Sequence, residues 1–193
     1  MAPPRIILAS GSPQRRALLS ALGLDFEVRP AGIEEETEGD PAELVVANAR
    51  RKAQAVAAPE GKLIVAGDTE VVIDGEVLGQ PGDEAEARSH LERLSGREHQ
   101  VVGGLALIET GAQGDPRELL TGVEVSAVNF RKLERTLIEA YLSSGEWRGR
   151  AGSYAIQGLG SALVDAVRGD VSNVIGLPVG LLLRLYPDLV TPA

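Results

Sequence analysis

The chain has no cysteine, which removes disulfides, thiolate metal sites and thiol nucleophiles together. Aromatic residues make up 3% of it. The core must therefore be built from Leu, Val, Ile and Ala, and a base-stacking surface for nucleic acid would be sparse. No run approaches the roughly 18 apolar residues of a membrane span, and the opening residues lack the cationic region and long apolar stretch of a secretory signal. The expectation is a cytoplasmic protein that binds neither membrane nor nucleic acid. No G-x-x-x-x-G-K-[ST] loop is present, and Gly158-Leu159-Gly160 lacks the third glycine of a dinucleotide fingerprint. His90 and His99 fit no zinc pattern and read as structural or surface residues, and no nucleophile elbow supports Ser/His/Asp catalysis. Any metal must be held by oxygen.

What is present describes a soluble globular chain: 193 residues, 44% hydrophobic and 24% charged. That length suits a single α/β domain over residues 1–193. A formal charge of −9 opposes a polyanionic partner. It does not oppose a small anion, because at a Debye length of about 8 Å nearby cations outweigh distant carboxylates.

Periodicity gives a buried strand at Arg5–Ser10, a helix at Pro13–Leu22 and a short strand at Phe26–Arg29. A long helix opens at Asp40-Pro41, with Leu44, Val45, Ala47, Ala49 and Val56 apolar and Arg50, Arg51 and Lys52 exposed toward its end. Leu63–Gly67 reads as a central strand, and Val71–Ile73 with Glu76–Leu78 as a hairpin about Asp74-Gly75. A helix over Asp83–Leu94, strands at Gln100–Glu109 and Glu118–Asn129 joined by the turn Gly111–Pro116, and a helix over Glu134–Leu142 follow. A glycine-punctuated stretch, a strand at Ala162–Val167 and a last helix after Pro178 complete the chain. This alternation implies an α/β fold with a mixed β-sheet flanked by helices.

Two places carry chemistry. The first is Ser10-Gly11-Ser12-Pro13-Gln14-Arg15-Arg16, between the apolar run Ile6–Ala9 and the first helix. Ser12 suits the N-cap and Pro13 the first helical position. The free first-turn amides, the dipole behind them and the guanidinium of Arg15 or Arg16 then form a site for phosphate. Taken alone, the segment reads equally as an ordinary helix cap with a solvated arginine pair. The second place is Gly67-Asp68-Thr69-Glu70-Val71-Val72, with Asp68 expected at the C-terminal edge of a buried strand, where ligands of open α/β sheets bind. Read alone, such an aspartate is more often a turn former. Beside a phosphate site it can hold Mg²⁺ or Mn²⁺ and deprotonate a water.

The stretches Leu8–Leu19, Gly32–Glu35, Lys52-Ala53, Gly67–Val72, Leu94–Val101 and Ala151–Pro178 together resemble the Maf family, known as septum formation inhibitors and nucleoside triphosphate pyrophosphatases. The resemblance spans essentially the full length. It implies a two-lobed fold with a central cleft, similar to inosine triphosphate pyrophosphatases. It also implies a divalent cation, frequent homodimers and hydrolysis between the α- and β-phosphates to a monophosphate and pyrophosphate, a house-cleaning role for nucleotide pools. By position, Ser10, Ser12, Arg15 and Arg16 match the phosphate site, Lys52 a phosphate-binding lysine, Glu35 a metal-associated carboxylate and Asp68 the proton acceptor, so that Glu35 and Asp68 would hold the metal. Asp68-Thr69 and Tyr154-Ala155-Ile156-Gln157-Gly158 place the chain with members that look like dTTP and UTP pyrophosphatases, with Arg15, Thr69 and Gln157 at the specificity positions. A sister subgroup acting on 7-methylguanosine triphosphate has glutamate at the position of Gln157.

Physical chemistry supports part of this. A primary amide offers a donor beside an acceptor, matching O4 and N3–H of thymine or uracil, although a flipped amide suits cytosine equally, so CTP and modified pyrimidine nucleotides stay open. Two departures remove cations from the phosphate side: Gln14 stands where the family has an arginine and Gln80 where it has a lysine. Each charge-assisted hydrogen bond is worth about 1.5–3 kcal/mol, so slower or more metal-dependent catalysis is expected. A catalytically weak nucleotide-binding regulator of septum formation is the alternative expectation.

Overall fold

The computed structural model describes residues 5–111 and 116–190. Seven strands form one mixed sheet in the order β2-β1-β3-β5-β6-β7, with β4 pairing the free edge of β3. They are β1 (Arg5–Leu8), β2 (Phe26–Val28), β3 (Lys62–Ile73), β4 (Glu76–Leu78), β5 (Glu98–Thr110), β6 (Pro116–Phe130) and β7 (Val164–Arg168). The helices are α1 (Pro13–Ala21), α2 (Pro41–Ala55), α3 (Glu84–Leu94), α4 (Arg135–Ser144), α5 (Val171–Ile175) and α6 (Val179–Leu185). β1 runs parallel to both β2 and β3, and every other pairing is antiparallel.

Side-chain alternation along β3 assigns its two faces. Leu63 and Val65 pack with Leu19 of α1 and Leu181 and Leu182 of α6, whereas Ile64 and Ala66 pack with Ala49 and Ala53 of α2. The far ends of β3 and β5 are covered by α3, α4 and the segment around Tyr154, through Val71, Ile73, Val101, Leu91, Tyr141 and Trp147. Gly104 faces α2 so closely that a Cβ would run into the carbonyl group of Val45. This approach brings the buried stripe of α2 down onto the middle of β3.

Three expectations from the sequence are corrected. The segments read as Leu63–Gly67 and Val71–Ile73 are one strand, because pairing with β5 runs unbroken from Leu63↔Glu109 to Val72↔Gln100. Asp68 consequently lies in mid-strand opposite Gly104, not at a strand end. Lys52, read as exposed, is 7% exposed. It falls on the same stripe of α2 as Leu44, Val45, Asn48, Ala49 and Ala53, and its position in the helical period overrides its charge. The last strand starts later than expected, at Val164, since Gly158–Ala162 forms a 3-10 turn. The last helix follows Pro178 as expected, as α6, and a short additional helix, α5, precedes it. Most of the expected Gly111–Pro116 turn falls outside the described residues. Among the described residues, no helix is long and apolar enough to cross a membrane.

The topology leaves a notch in the sheet. β1 pairs β3 only through Val65, and β4 pairs it only from Val71. Along that edge, Ala66–Glu70 face no strand among the described residues.

Candidate active site

The notch fills with polar groups for a local reason. β1 ends at Leu8, and the chain turns through Ala9–Ser12 into α1, with Pro13 in its first turn and the Ser12 hydroxyl accepting from Arg15 N at 3.4 Å. The Arg15 side chain then turns back across the notch. Its Nη1 donates to Ser10 Oγ at 3.0 Å, its Nη2 to Thr69 Oγ1 at 3.3 Å and its Nε to the Gly176 carbonyl at 2.8 Å. Burial pushes its pKa down, while attraction to Asp68 and Glu35 opposes that. Ser10 Oγ accepts from Ser12 N at 3.2 Å as well, leaving its own O–H to donate.

Asp68 projects from the opposite face of β3, toward α2, and is 4% exposed. Lys52 Nζ donates to its Oδ1 at 2.7 Å and also pairs Glu35 Oε1 at 2.6 Å. Asn48 Nδ2 donates to Asp68 Oδ2 at 3.1 Å, while the same amide holds both the N–H and the carbonyl of Glu36. Asn48 thus fixes the acidic loop against Asp68. Reading the sequence missed it, though its place on the buried stripe of α2 marks it as a polar residue that must be satisfied. Glu70 was likewise missed. Burial first, then repulsion by Asp68 and Glu35, raises its pKa to about 7, and its buried Oε2 has no partner.

Two cavities meet here. One is lined by Ser10, Gly11, Gly32, Glu35 and Lys52, the other by Thr69, Arg150, Tyr154, Ile156 and Gln157. Ser12, Gln14, Arg15, Gln80 and Gly149 line both and form the seam between them. The second cavity owes its shape to an anchored loop. Tyr141 Oη accepts from Ala155 N at 3.0 Å, and the Glu146 carboxylate accepts from Leu159 N and Gly160 N. His90 Nδ1 lies 2.7 Å from Ser153 Oγ, and His99 Nε2 lies 2.8 Å from Tyr154 Oη. Both histidines therefore support this loop, in keeping with their structural reading. Gly152, at φ 63° and with Val71 where a Cβ would stand, lets the loop lie directly on β3. Gln157, at the rim, makes no side-chain cap hydrogen bond to the turn it opens.

Ser10, Ser12, Arg15, Glu35, Lys52, Asp68, Thr69, Gln80 and Gln157 are thus gathered at or around the joined cavities. Arg16 is not: it is exposed and lines neither cavity. Arg150, not anticipated from the sequence, does line one, and its Nε is buried without a partner.

The carboxylates suit a hard cation in part. Glu35 and Asp68 converge on one Nζ, and the orphaned Glu70 oxygen adds a further hard donor nearby. Among the described residues, no group of three or more His, Asp or Glu side chains has the spacing to hold a metal alone. A cation here would need donors from a bound ligand as well.

The Maf-like protein family model matches residues 5–189. The chain is 46% identical over 182 residues to the dTTP/UTP pyrophosphatase of Pyrococcus abyssi, covering 93% of this chain and 94% of that one. It is 44% identical to the Deinococcus radiodurans protein of the same name, covering 94% and 91%, and 45% identical to that of Thermus thermophilus, covering 94% and 93%. A solved HAM1 protein from Coxiella burnetii overlays with a TM-score of 0.44 at 22% identity, over 68% of this chain and 75% of that one, too weak a likeness to carry weight. With the family model spanning nearly the whole sequence and curated relatives this close over nine-tenths of their lengths, the chain belongs to the Maf-like protein family.

Proposed function

We propose that the protein hydrolyses dTTP and UTP between the α- and β-phosphates, releasing the nucleoside monophosphate and pyrophosphate, with CTP and modified pyrimidine nucleotides as further substrates. The observation that carries the proposal is the pair of joined cavities. One is rich in charge and first-helix amides and suits phosphates, and the other presents the free amide of Gln157 and suits a pyrimidine edge. The names of the relatives point to the same substrates.

In this reading Asp68 is the general base. Each of its oxygens accepts one protein hydrogen bond, leaving a lone pair to take a proton from water as it attacks phosphorus. Arg15, the Ser10 hydroxyl and the α1 amides hold the phosphates, and with Lys52 they stabilise charge on the departing pyrophosphate, the term that dominates phosphoryl transfer. Glu35 and Asp68, with the phosphates completing the donor set, would hold Mg²⁺ or Mn²⁺, which neutralises phosphate charge and polarises the reacting phosphorus. A cytoplasmic location, a homodimer and a house-cleaning role belong to the same proposal.

The test is a panel of canonical and modified triphosphates with Mg²⁺ or Mn²⁺, read as pyrophosphate against orthophosphate. Pyrophosphate release favouring dTTP and UTP is expected. Binding without release of either product would overturn the proposal in favour of a nucleotide-binding regulator.

A further inference from the structure

The phosphate end of the site is short of positive charge. Arg15 and Lys52 are its cations, and they are offset locally by Glu35 and Asp68. Both cations are also already engaged: Arg15 spends Nε, Nη1 and Nη2 on protein acceptors, and Lys52 sits between two carboxylates. A triphosphate brings several negative charges into this nearly neutral setting, and two seam positions carry the uncharged Gln14 and Gln80.

Arg150 is different. It follows Gly149, a seam residue, and lines the adjoining cavity, and its Nε–H is buried with no protein acceptor to satisfy it. An unpaired buried donor is costly, more so when charged, and a ligand that accepts from it removes that cost. Backbone bonds fix where the side chain starts. Arg150 N donates to the Trp147 carbonyl, the Arg150 carbonyl accepts from Ser153 N, and Gly152 N donates to the Gly79 carbonyl. That last bond fastens the turn beside Gln80, whose Oε1 lies 4.0 Å from the position of a Cβ on Gly149. Arg150 and Gln80 both line the same cavity.

We infer that Arg150 binds the phosphate nearest the nucleoside and supplies the positive charge that Gln14 and Gln80 do not. Its place just on the nucleoside side of the seam selects the α-phosphate over the departing pyrophosphate. Arg16, the substitute suggested by sequence order, faces solvent instead. The inference rests on the pyrophosphatase reading above.

The experiment measures pyrophosphate release from dTTP, and its inhibition by dTMP and by thymidine, in wild-type protein and in Arg150→Met and Arg150→Lys. The two inhibitors differ only in the phosphate that Arg150 would bind. In Arg150→Met the dTMP inhibition constant should rise about 10- to 100-fold, the range of one charge-assisted hydrogen bond, with the thymidine constant unchanged. Arg150→Lys should recover much of the loss. Equal weakening of both inhibitors would mean that Arg150 only shapes the loop, and an unchanged dTMP constant would mean that it does not reach the phosphate; either overturns the inference while wild-type turnover leaves the pyrophosphatase reading intact. Wild-type protein that releases no pyrophosphate overturns both.

Discussion

Replacing Asp68 with asparagine separates chemistry from folding, because the structure sets the two effects at different scales. The side chain is 4% exposed and accepts from Lys52 at 2.7 Å and Asn48 at 3.1 Å. In Asp68→Asn one oxygen still faces Lys52, but the new amide nitrogen meets the Asn48 amide donor. Asn48 cannot flip to accommodate it, since its own oxygen and nitrogen are engaged by Glu36. One hydrogen bond to a charged group is therefore lost, at a cost of about 2–3 kcal/mol. For a chain of this size that lowers Tm by roughly 4–12 °C. Against a typical stability of about 5–15 kcal/mol the variant stays more than about 95% folded at 25 °C, so unfolding accounts for only a few per cent of any lost activity. Removing the general base should lower kcat by about 10²–10⁴-fold. Nucleotide binding measured without metal should hold or tighten, because a negative charge near the phosphates has been removed. Calorimetric titration of dTTP, a melting curve and the rate of pyrophosphate release test all three. Turnover within about threefold of wild type, or a rate loss that follows the melting curve, would refute the assignment of the base.

Two further outcomes follow from single side chains. Gln80→Lys restores a cation at the seam, and kcat/KM for dTTP should rise by roughly tenfold to a hundredfold; an unchanged value would show that this position does not face the phosphates. Burial lowers the His99 pKa from 6.5 to about 4, so the folded state resists protonation. Its contribution is present above pH 6.5 and lost as pH falls toward 4, where the lost stability reaches about 3 kcal/mol. Melting curves from pH 7 to 4 should show a steeper fall for wild type than for His99→Phe, and parallel curves would contradict the assignment.

The sequence alone determined most of the elements and the family. A hydroxyl-rich turn into a proline-opened helix, periodic stripes and β-branched runs are local signals, and Ser12 caps α1 and the histidines serve the fold as read. Several ordered motifs at matching spacing did the rest, which no single motif could. What only the tertiary structure decided depends on contacts between distant segments. Whether β3 breaks at Asp68 was set by the unbroken ladder with β5, and the notch exists because β1 and β4 stop on either side of it. Lys52 reads as a solvated charge until helix phase and the close approach at Gly104 press it against Asp68. Glu70 and Arg150 became visible through buried atoms without partners, and Asn48 through its bonds to Glu36 and Asp68, none of which exists until the chain is folded.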